Sequence, residues 1–320
     1  MSSVSPVGRL LLVDGHAYAY RAFYAIRSMN SPTGRPTNAL YGFIKMLFKM
    51  EGILKPTHRL VIWDGGLAVE RTRELPGYKA TRPPTPEGLE EQLPQLMSWL
   101  GAAGWASLQV DGTEADDWLA TYVRRAAGQM GSVIIASSDK DFMQLVDATT
   151  GLFNPNDKSE KVWTAADVEA KTGVSPGQIV DWLSLVGDSV DDIPGVPGVG
   201  PKTATDLLKR FGSVEQLLAR AGELKSENQR QAVQSSAEIL RRNQRMIRLK
   251  DDLVGGPPLE QLLPGTPDLA ALRECYARWG FRSLLAEVTP EAETVPSMNP
   301  PTVAPQASTK AGDAIQGDLF

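Results

Sequence analysis

Three short apolar runs in the first half of the chain share one design, each ending at or just before an acidic residue. RLLLV runs into Asp14, RLVIW into Asp64 and SVIIASS into Asp139. Near-continuous apolar segments of this length suit a parallel sheet buried on both faces, because neither side of such a strand meets water. A fourth run, ASLQV, leads into Asp111 and the sequence GTEADD. Helical stretches fill the intervals, over Ala39 to Met50 and Glu114 to Ala127, so strands and helices alternate. That order predicts an α/β fold around a central, mostly parallel sheet. In open α/β sheets the site forms at the carboxyl ends of the strands, which would gather Asp14, Asp64 and Asp139 despite their separation in sequence.

From about 65 to 94 the pattern breaks. Pro76, Pro83, Pro84 and Pro86 interrupt helices while Arg71, Arg73, Lys79 and Arg82 add positive charge. A long insertion between sheet elements is usually functional or disordered. Residues 175 to 285 read as all-helical, without convincing strands. Beyond Glu287 the chain is rich in Pro and Ala and cannot bury enough apolar surface to fold, yet it ends in Leu319 and Phe320. The 320 residues exceed the roughly 100 to 200 of one domain. They divide into a core over 1–174, a helical lobe over 175–290 and a disordered tail over 291–320.

Composition narrows the class. A hydrophobic fraction of 42% with 22% charged residues fits a globular protein and excludes a disordered chain, a collagen-like repeat or a disulfide scaffold. One cysteine, Cys275, forms no internal disulfide, suits a reducing cytoplasm and reads as a small core residue beside Trp279. RLLLV is too short for a signal peptide, and no stretch approaches the roughly 20 apolar residues of a membrane helix. A cytosolic protein is expected.

The net charge of −5 argues at first against nucleic acid, since phosphate attracts positive surfaces. The placement of the acids changes that reading. Glu114, Asp116 and Asp117 cluster at a helix start, with Glu114 and Asp117 on one face; Asp139 and Asp141 follow a strand; Asp188 and Asp191 lie three apart in GDSVDD. With Asp14 and Asp64 these make nine carboxylates. Gathered in one crevice they would repel strongly unless protonated or neutralised by hard cations. Oxygen ligands without Cys, and with His16 and His58 the only histidines, select Mg²⁺ or Mn²⁺ over Zn²⁺. Two such ions are the usual device for phosphodiester hydrolysis. Setting the nine aside leaves 33 basic against 29 acidic residues.

VPGVGPKTATDLL, from Val196, places Gly198 and Gly200 in a tight turn before a helix that starts near Lys202 and Thr203, where backbone N–H groups would bind phosphate without reading sequence. Residues 202 to 250 then hold 11 basic against 5 acidic side chains. A solvated helix face could carry that excess, but beside a phosphate-binding turn nucleic-acid contact is the better reading.

LLVDGHAYAYRAFYAI, SPTGRPTNALYGF, GYKATRPPTPEGL, EADD, SDKDFMQL and GDSVDDIPGVPGVGPKTA together resemble the bacterial 5′ nuclease family, which includes flap endonucleases and the N-terminal exonuclease domain of DNA polymerase I. The resemblance runs from about Arg9 to about Leu285. It implies a PIN-like α/β nuclease core with a helical arch over the active site (about 65–94), and a helix-hairpin-helix element gripping duplex DNA, with K⁺ bound there. It implies that the nine carboxylates are metal ligands, that Arg21, Lys79 and Arg82 contact the scissile phosphate or line the arch, and that Arg71 is a further basic arch residue facing DNA. One departure is local: Glu70-Arg71-Thr72 stands where relatives usually carry Phe-Arg-His. The implied activity is 5′-3′ exonuclease and flap endonuclease cleavage of DNA or an RNA primer at 5′ flaps, nicks and primer ends, in replication and repair, by a cytoplasmic, nucleoid-associated monomer.

The last five residues, with Gln316, Leu319 and Phe320, are similar to the peptide by which bacterial replication proteins dock on the sliding clamp, and imply a stand-alone nuclease. Other acid-rich α/β readings fit less well. A haloacid-dehalogenase-like phosphatase wants a second Asp two residues after the first, and VDGHA holds none. PIN-type ribonucleases are short and lack the helical lobe. A non-catalytic DNA-structure binder would be expected to have lost ligands, yet all nine positions are acidic.

Overall fold

The computed structural model describes residues 7–154 and 157–289. In chain order the first elements are β1 (Arg9–Asp14), α1 (Gly15–Ala25), α2 (Asn38–Leu54), β2 (His58–Trp63), α3 (Val69–Glu74), α4 (Glu87–Glu90), α5 (Leu93–Ala102) and β3 (Ala106–Gln109). There follow α6 (Ala115–Ala126), β4 (Ser132–Ala136), β5 (Thr150–Phe153), β6 (Val162–Trp163) and α7 (Ala165–Thr172). The sheet has six strands in the order β3-β2-β1-β4-β5-β6, all parallel except β6. The strand order reverses between β1 and β4, so the crevice expected of a doubly wound sheet opens beside Asp14 and the segment after Ala136. The short strands β5 and β6 are additions to the apolar runs visible in the sequence.

Alternation along β1 explains why its run is continuously apolar. Leu10 and Leu12 join the core on one face of the sheet, while Leu11 and Val13 join the core on the other. The first face is covered by α6 and by a set of helices that begins with α8 (Ile179–Val186) and continues, after β7 (Gly187–Asp188) and β8 (Ile193–Pro194), through α9 (Pro201–Phe211), α10 (Val214–Ala219), α11 (Glu227–Ser235) and α12 (Ala237–Ile247). The lobe therefore shares one continuous apolar core with the sheet. It also contains a two-stranded hairpin, β7 with β8, where the sequence pattern shows only helices, because two residues per strand leave no periodicity to read.

The last helices, α13 (Leu269–Trp279) and α14 (Arg282–Val288), lie elsewhere, and this departs from a single lobe over 175–290. Leu272, Cys275, Tyr276 and Trp279 form one apolar stripe of α13. That stripe packs on the opposite face of the sheet with α2 and α5. Its polar ring atoms are satisfied there: the Trp99 indole N–H donates to the Tyr276 hydroxyl at 3.0 Å, and the Trp279 indole N–H to Gln95 Oε1 at 2.7 Å. Among the described residues, no helix is long and apolar enough to cross a membrane.

Candidate active site

Asp14 closes β1 and caps α1, accepting a hydrogen bond from the Ala17 N–H at 3.0 Å and one from the Ser137 hydroxyl at 2.9 Å. Asp64 follows β2 and accepts from the Ala115 N–H at 2.8 Å, while its own N–H donates to His16 Nδ1 at 3.1 Å. Asp139 follows β4, and its carboxylate accepts from the Asp141 N–H at 2.8 Å. With Asp116, from the first turn of α6, these three carboxylates line a cavity of about 600 Å³ that Lys79, Arg82, His16 and Tyr20 also border. The strand-end rule thus gathers the residues expected of it.

A second group sits alongside. Asp141, Asp188 and Asp191 present carboxylate oxygens that all lie within 4.8 Å of one another, with the Lys140 ammonium 3.1 Å from Asp188. Asp188 and Asp191 owe their closeness to the β7–β8 hairpin, which turns the chain back between them.

Burial pushes the Asp14 carboxyl up to about 7, with the charges of Asp64 and Asp139 adding and the Ala17 N–H opposing. Burial likewise raises Asp116 well above the ordinary carboxylate range, with Asp139 and Asp14 next in effect. Asp139 and Asp141 are raised by burial and then by negative neighbours, chiefly Asp191 and Asp188 for the first and Asp139 for the second. Acids this reluctant to ionise side by side are arranged for an added positive charge. Among the described residues the buried Asp141 Oδ1 atom has no hydrogen-bond partner, an acceptor left over for a ligand. An all-oxygen set with such an atom fits a hard divalent cation.

The remaining predicted ligands are already paired. Glu114 accepts from Lys79 Nζ at 2.8 Å, from the Tyr78 hydroxyl at 3.2 Å and from Arg71. Burial opposes its ionisation, but Lys79 and Arg71 outweigh that and hold it below the usual range. Asp117 is gripped at both oxygens by the Arg71 guanidinium, at 2.7 and 2.9 Å, and accepts from the Lys250 N–H at 2.9 Å. It does not line the cavity.

Arg71 also departs from expectation. Rather than facing DNA it is 6% exposed, and it donates to the Met246 and Arg248 carbonyls at the end of α12 as well as to Glu114 and Asp117. The segment over 65–94 is ordered as two short helices joined by a Pro-rich turn, and it reaches over the cavity through Lys79 and Arg82. Arg82 donates to Asp191 Oδ1 at 2.6 Å. Arg21 lies on α1, partly exposed, two helical turns past Asp14. Gly198 has a φ of 77° that suits glycine, Gly200 caps α9, and Lys202 is exposed on its first turn beside a half-buried Thr203. Gln316, Leu319 and Phe320 lie outside the described residues. Sequence reasoning passed over Ser137, Tyr78, Thr81 and Asp192, although Tyr78 and Thr81 stand beside Lys79 and Arg82 in GYKATR and Asp192 closes GDSVDD.

The profile described as 5′-3′ exonuclease, N-terminal resolvase-like domain, matches residues 9–173, and the one described as 5′-3′ exonuclease, C-terminal SAM fold, matches residues 174–270. The chain belongs to the 5′-3′ exonuclease family. It is thus a nuclease and, with that family, metal-dependent. A 5′-3′ exonuclease of Aquifex aeolicus is 36% identical over 279 residues, 87% of this chain and 94% of that protein. The thermostable DNA polymerase I of Thermus thermophilus is 39% identical over 289 residues, 88% of this chain but 33% of the polymerase, so the chain spans about a third of that relative. Among solved structures, the phage T5 D15 flap endonuclease in a pseudo-enzyme-product complex with DNA and metal ions matches with a TM-score of 0.64 at 20% identity, over 88% of this chain and 97% of that one. The catalytic core of Rad2 in complex with DNA substrate matches at 0.58 and 13%, over 89% and 93%. These two likenesses bear on the fold of this family member.

Proposed function

We propose that this 5′-3′ exonuclease family member hydrolyses phosphodiesters near the 5′ ends of DNA or of an RNA primer, at flaps, nicks and primer ends, using two or more Mg²⁺ or Mn²⁺ ions. The observation that carries the reading is the pair of adjoining carboxylate groups, Asp14, Asp64, Asp116 and Asp139 around the cavity and Asp141, Asp188 and Asp191 beside it, with Lys79 and Arg82 at the rim. Bound divalent ions would supply polarisation of the phosphate and a water of lowered pKa.

The chain's own residues do the rest. Ser137, the Ala17 N–H and the Ala115 N–H orient Asp14 and Asp64 before any ion arrives, so little reorganisation is needed. Lys79 and Arg82 offset negative charge that grows on the phosphate oxygens. Glu114 keeps Lys79 charged and aimed: burial works against the ammonium, and Glu114 foremost outweighs it. Arg21, on α1, would meet the neighbouring phosphate. The turn at Gly198 and Gly200, with Lys202 and Thr203, holds duplex by its backbone and takes K⁺, so selection is for structure rather than sequence. We place the protein in the cytoplasm beside the nucleoid, acting as a monomer, with Gln316, Leu319 and Phe320 as its contact to the sliding clamp.

A 5′-labelled flap duplex with Mg²⁺ tests the reading. Cleavage near the flap base is expected, abolished by chelator and by Asp14→Ala. Undiminished cleavage by Asp14→Ala, or no cleavage with either metal, would sink it.

A further inference from the structure

Two residues beside the cavity hold backbone conformations that L amino acids rarely adopt, Lys79 at φ 55° and Asp192 at φ 57°. Such strain persists only where the surroundings over-determine it, and it gathers at functional sites. Here the two strained stretches bind each other. The Lys79 N–H donates to the Asp191 carbonyl at 3.1 Å. The Thr81 N–H donates to Asp192 Oδ2 at 2.9 Å, and the Thr81 hydroxyl lies 2.8 and 2.9 Å from the two Asp192 oxygens. Asp192 thus turns its carboxylate onto the turn of the Pro-rich segment, chiefly Thr81 with the Ala80 N–H adding, while its neighbour Asp191 holds Arg82.

We propose that Asp192 and Thr81 are a positioning pair, a clasp that fixes the turn over residues 79–82 on the hairpin carrying Asp188 and Asp191 and so places Lys79 and Arg82 over the cavity. The proposal rests on the reading of those two cations as phosphate-facing. Thr81 lies between Lys79 and Arg82, so pinning its N–H and hydroxyl fixes the backbone on which both cations stand. Pro83 follows directly and biases Arg82 toward extended backbone, so Arg82 is bracketed by the clasp on one side and the proline on the other. Small displacements of such groups lower rate more than binding.

Asp192→Gly separates this role from a merely structural one. Glycine accepts a positive φ without strain, so the hairpin keeps its shape while the acceptor is lost. On a 5′-flap duplex with Mg²⁺, Asp192→Gly is expected to lower kcat about tenfold with KM and melting temperature held. Asp192→Asn and Thr81→Ser, which keep an acceptor and a donor, should recover most of the rate. A second readout needs no catalysis. Lys79 is 8% exposed and its N–H is bonded, so trypsin should cut the Lys79–Ala80 bond slowly in the parent, faster in Asp192→Gly, and near the parent rate in Asp192→Asn. Parent kcat together with a parent tryptic rate in Asp192→Gly would overturn the clasp. So would a lowered melting temperature with an unchanged tryptic rate, which would assign the pair to general stability. A parent that leaves the flap duplex intact would refute the functional reading instead, and the tryptic comparison would still decide whether the clasp holds the turn.

Discussion

Replacing Arg71 by Met should cost stability far more than substrate affinity. The guanidinium is buried and serves four partners from two parts of the molecule, Glu114 and Asp117 at the start of α6 and the Met246 and Arg248 carbonyls at the end of α12. Burial works against its charge, but Asp117 and Glu114 more than offset this and hold it protonated. Met matches the aliphatic stem but leaves charges behind. Glu114 keeps Lys79 and Tyr78, whereas Asp117, 3% exposed, keeps only the Lys250 N–H among these partners. Breaking a buried pair from one side costs about 3–5 kcal/mol, because the stranded charge stays desolvated. At roughly 2–4 °C per kcal/mol for a chain approaching this size, Arg71→Met should melt about 10 °C lower. Adding Asp117→Asn removes the stranded charge, so the double variant should recover a large part of the loss, as a thermal-melt double-mutant cycle would show. An unchanged melting temperature with a raised KM for DNA would refute this and return Arg71 to the DNA-facing role that its place in a basic segment suggests.

Two further outcomes follow from the site and the lobe. Asp14, raised by burial to about 7, binds its proton more tightly folded than unfolded. It therefore contributes stability that is complete below the ordinary value of 3.8 and lost as pH rises through about 7. Asp116, Asp139 and Asp141 shift in the same direction. In chelator these acids should thus pull the melting temperature down between about pH 4 and pH 7, and saturating Mg²⁺ should flatten that slope; a metal-free melting temperature that climbs throughout this range would contradict the shifts. Lys202→Ala, on the exposed first turn of α9, should reduce the salt dependence of duplex binding by about one phosphate contact with kcat held, and anisotropy titrations across salt that superimpose on the parent would remove Lys202 from the interface.

What could be read beforehand, and what could not, divides along a physical line. Asp14, Asp64 and Asp139 were legible because a strand buried on both faces must be apolar throughout, and its first acid marks the point where the chain leaves the sheet. The parallel order then puts those points at one edge. At the start of α6, spacing shows that Glu114 and Asp117 share a face and that Asp116 does not, but it does not say which face meets the cavity. The structure turns Asp116 to the cavity and the other two to Arg71. Deciding between those orientations required the partner, and a buried arginine in sequence is indistinguishable from an exposed one. The same holds for α13, whose stripe announces an apolar face without naming the surface that receives it; the destination is the back of the sheet, where α2 and α5 offer apolar area. Periodicity reports what a segment must bury, whereas the choice among burial sites is made by the rest of the chain. Charged side chains such as Arg71, whose value reverses between water and interior, are where that choice alters a functional assignment.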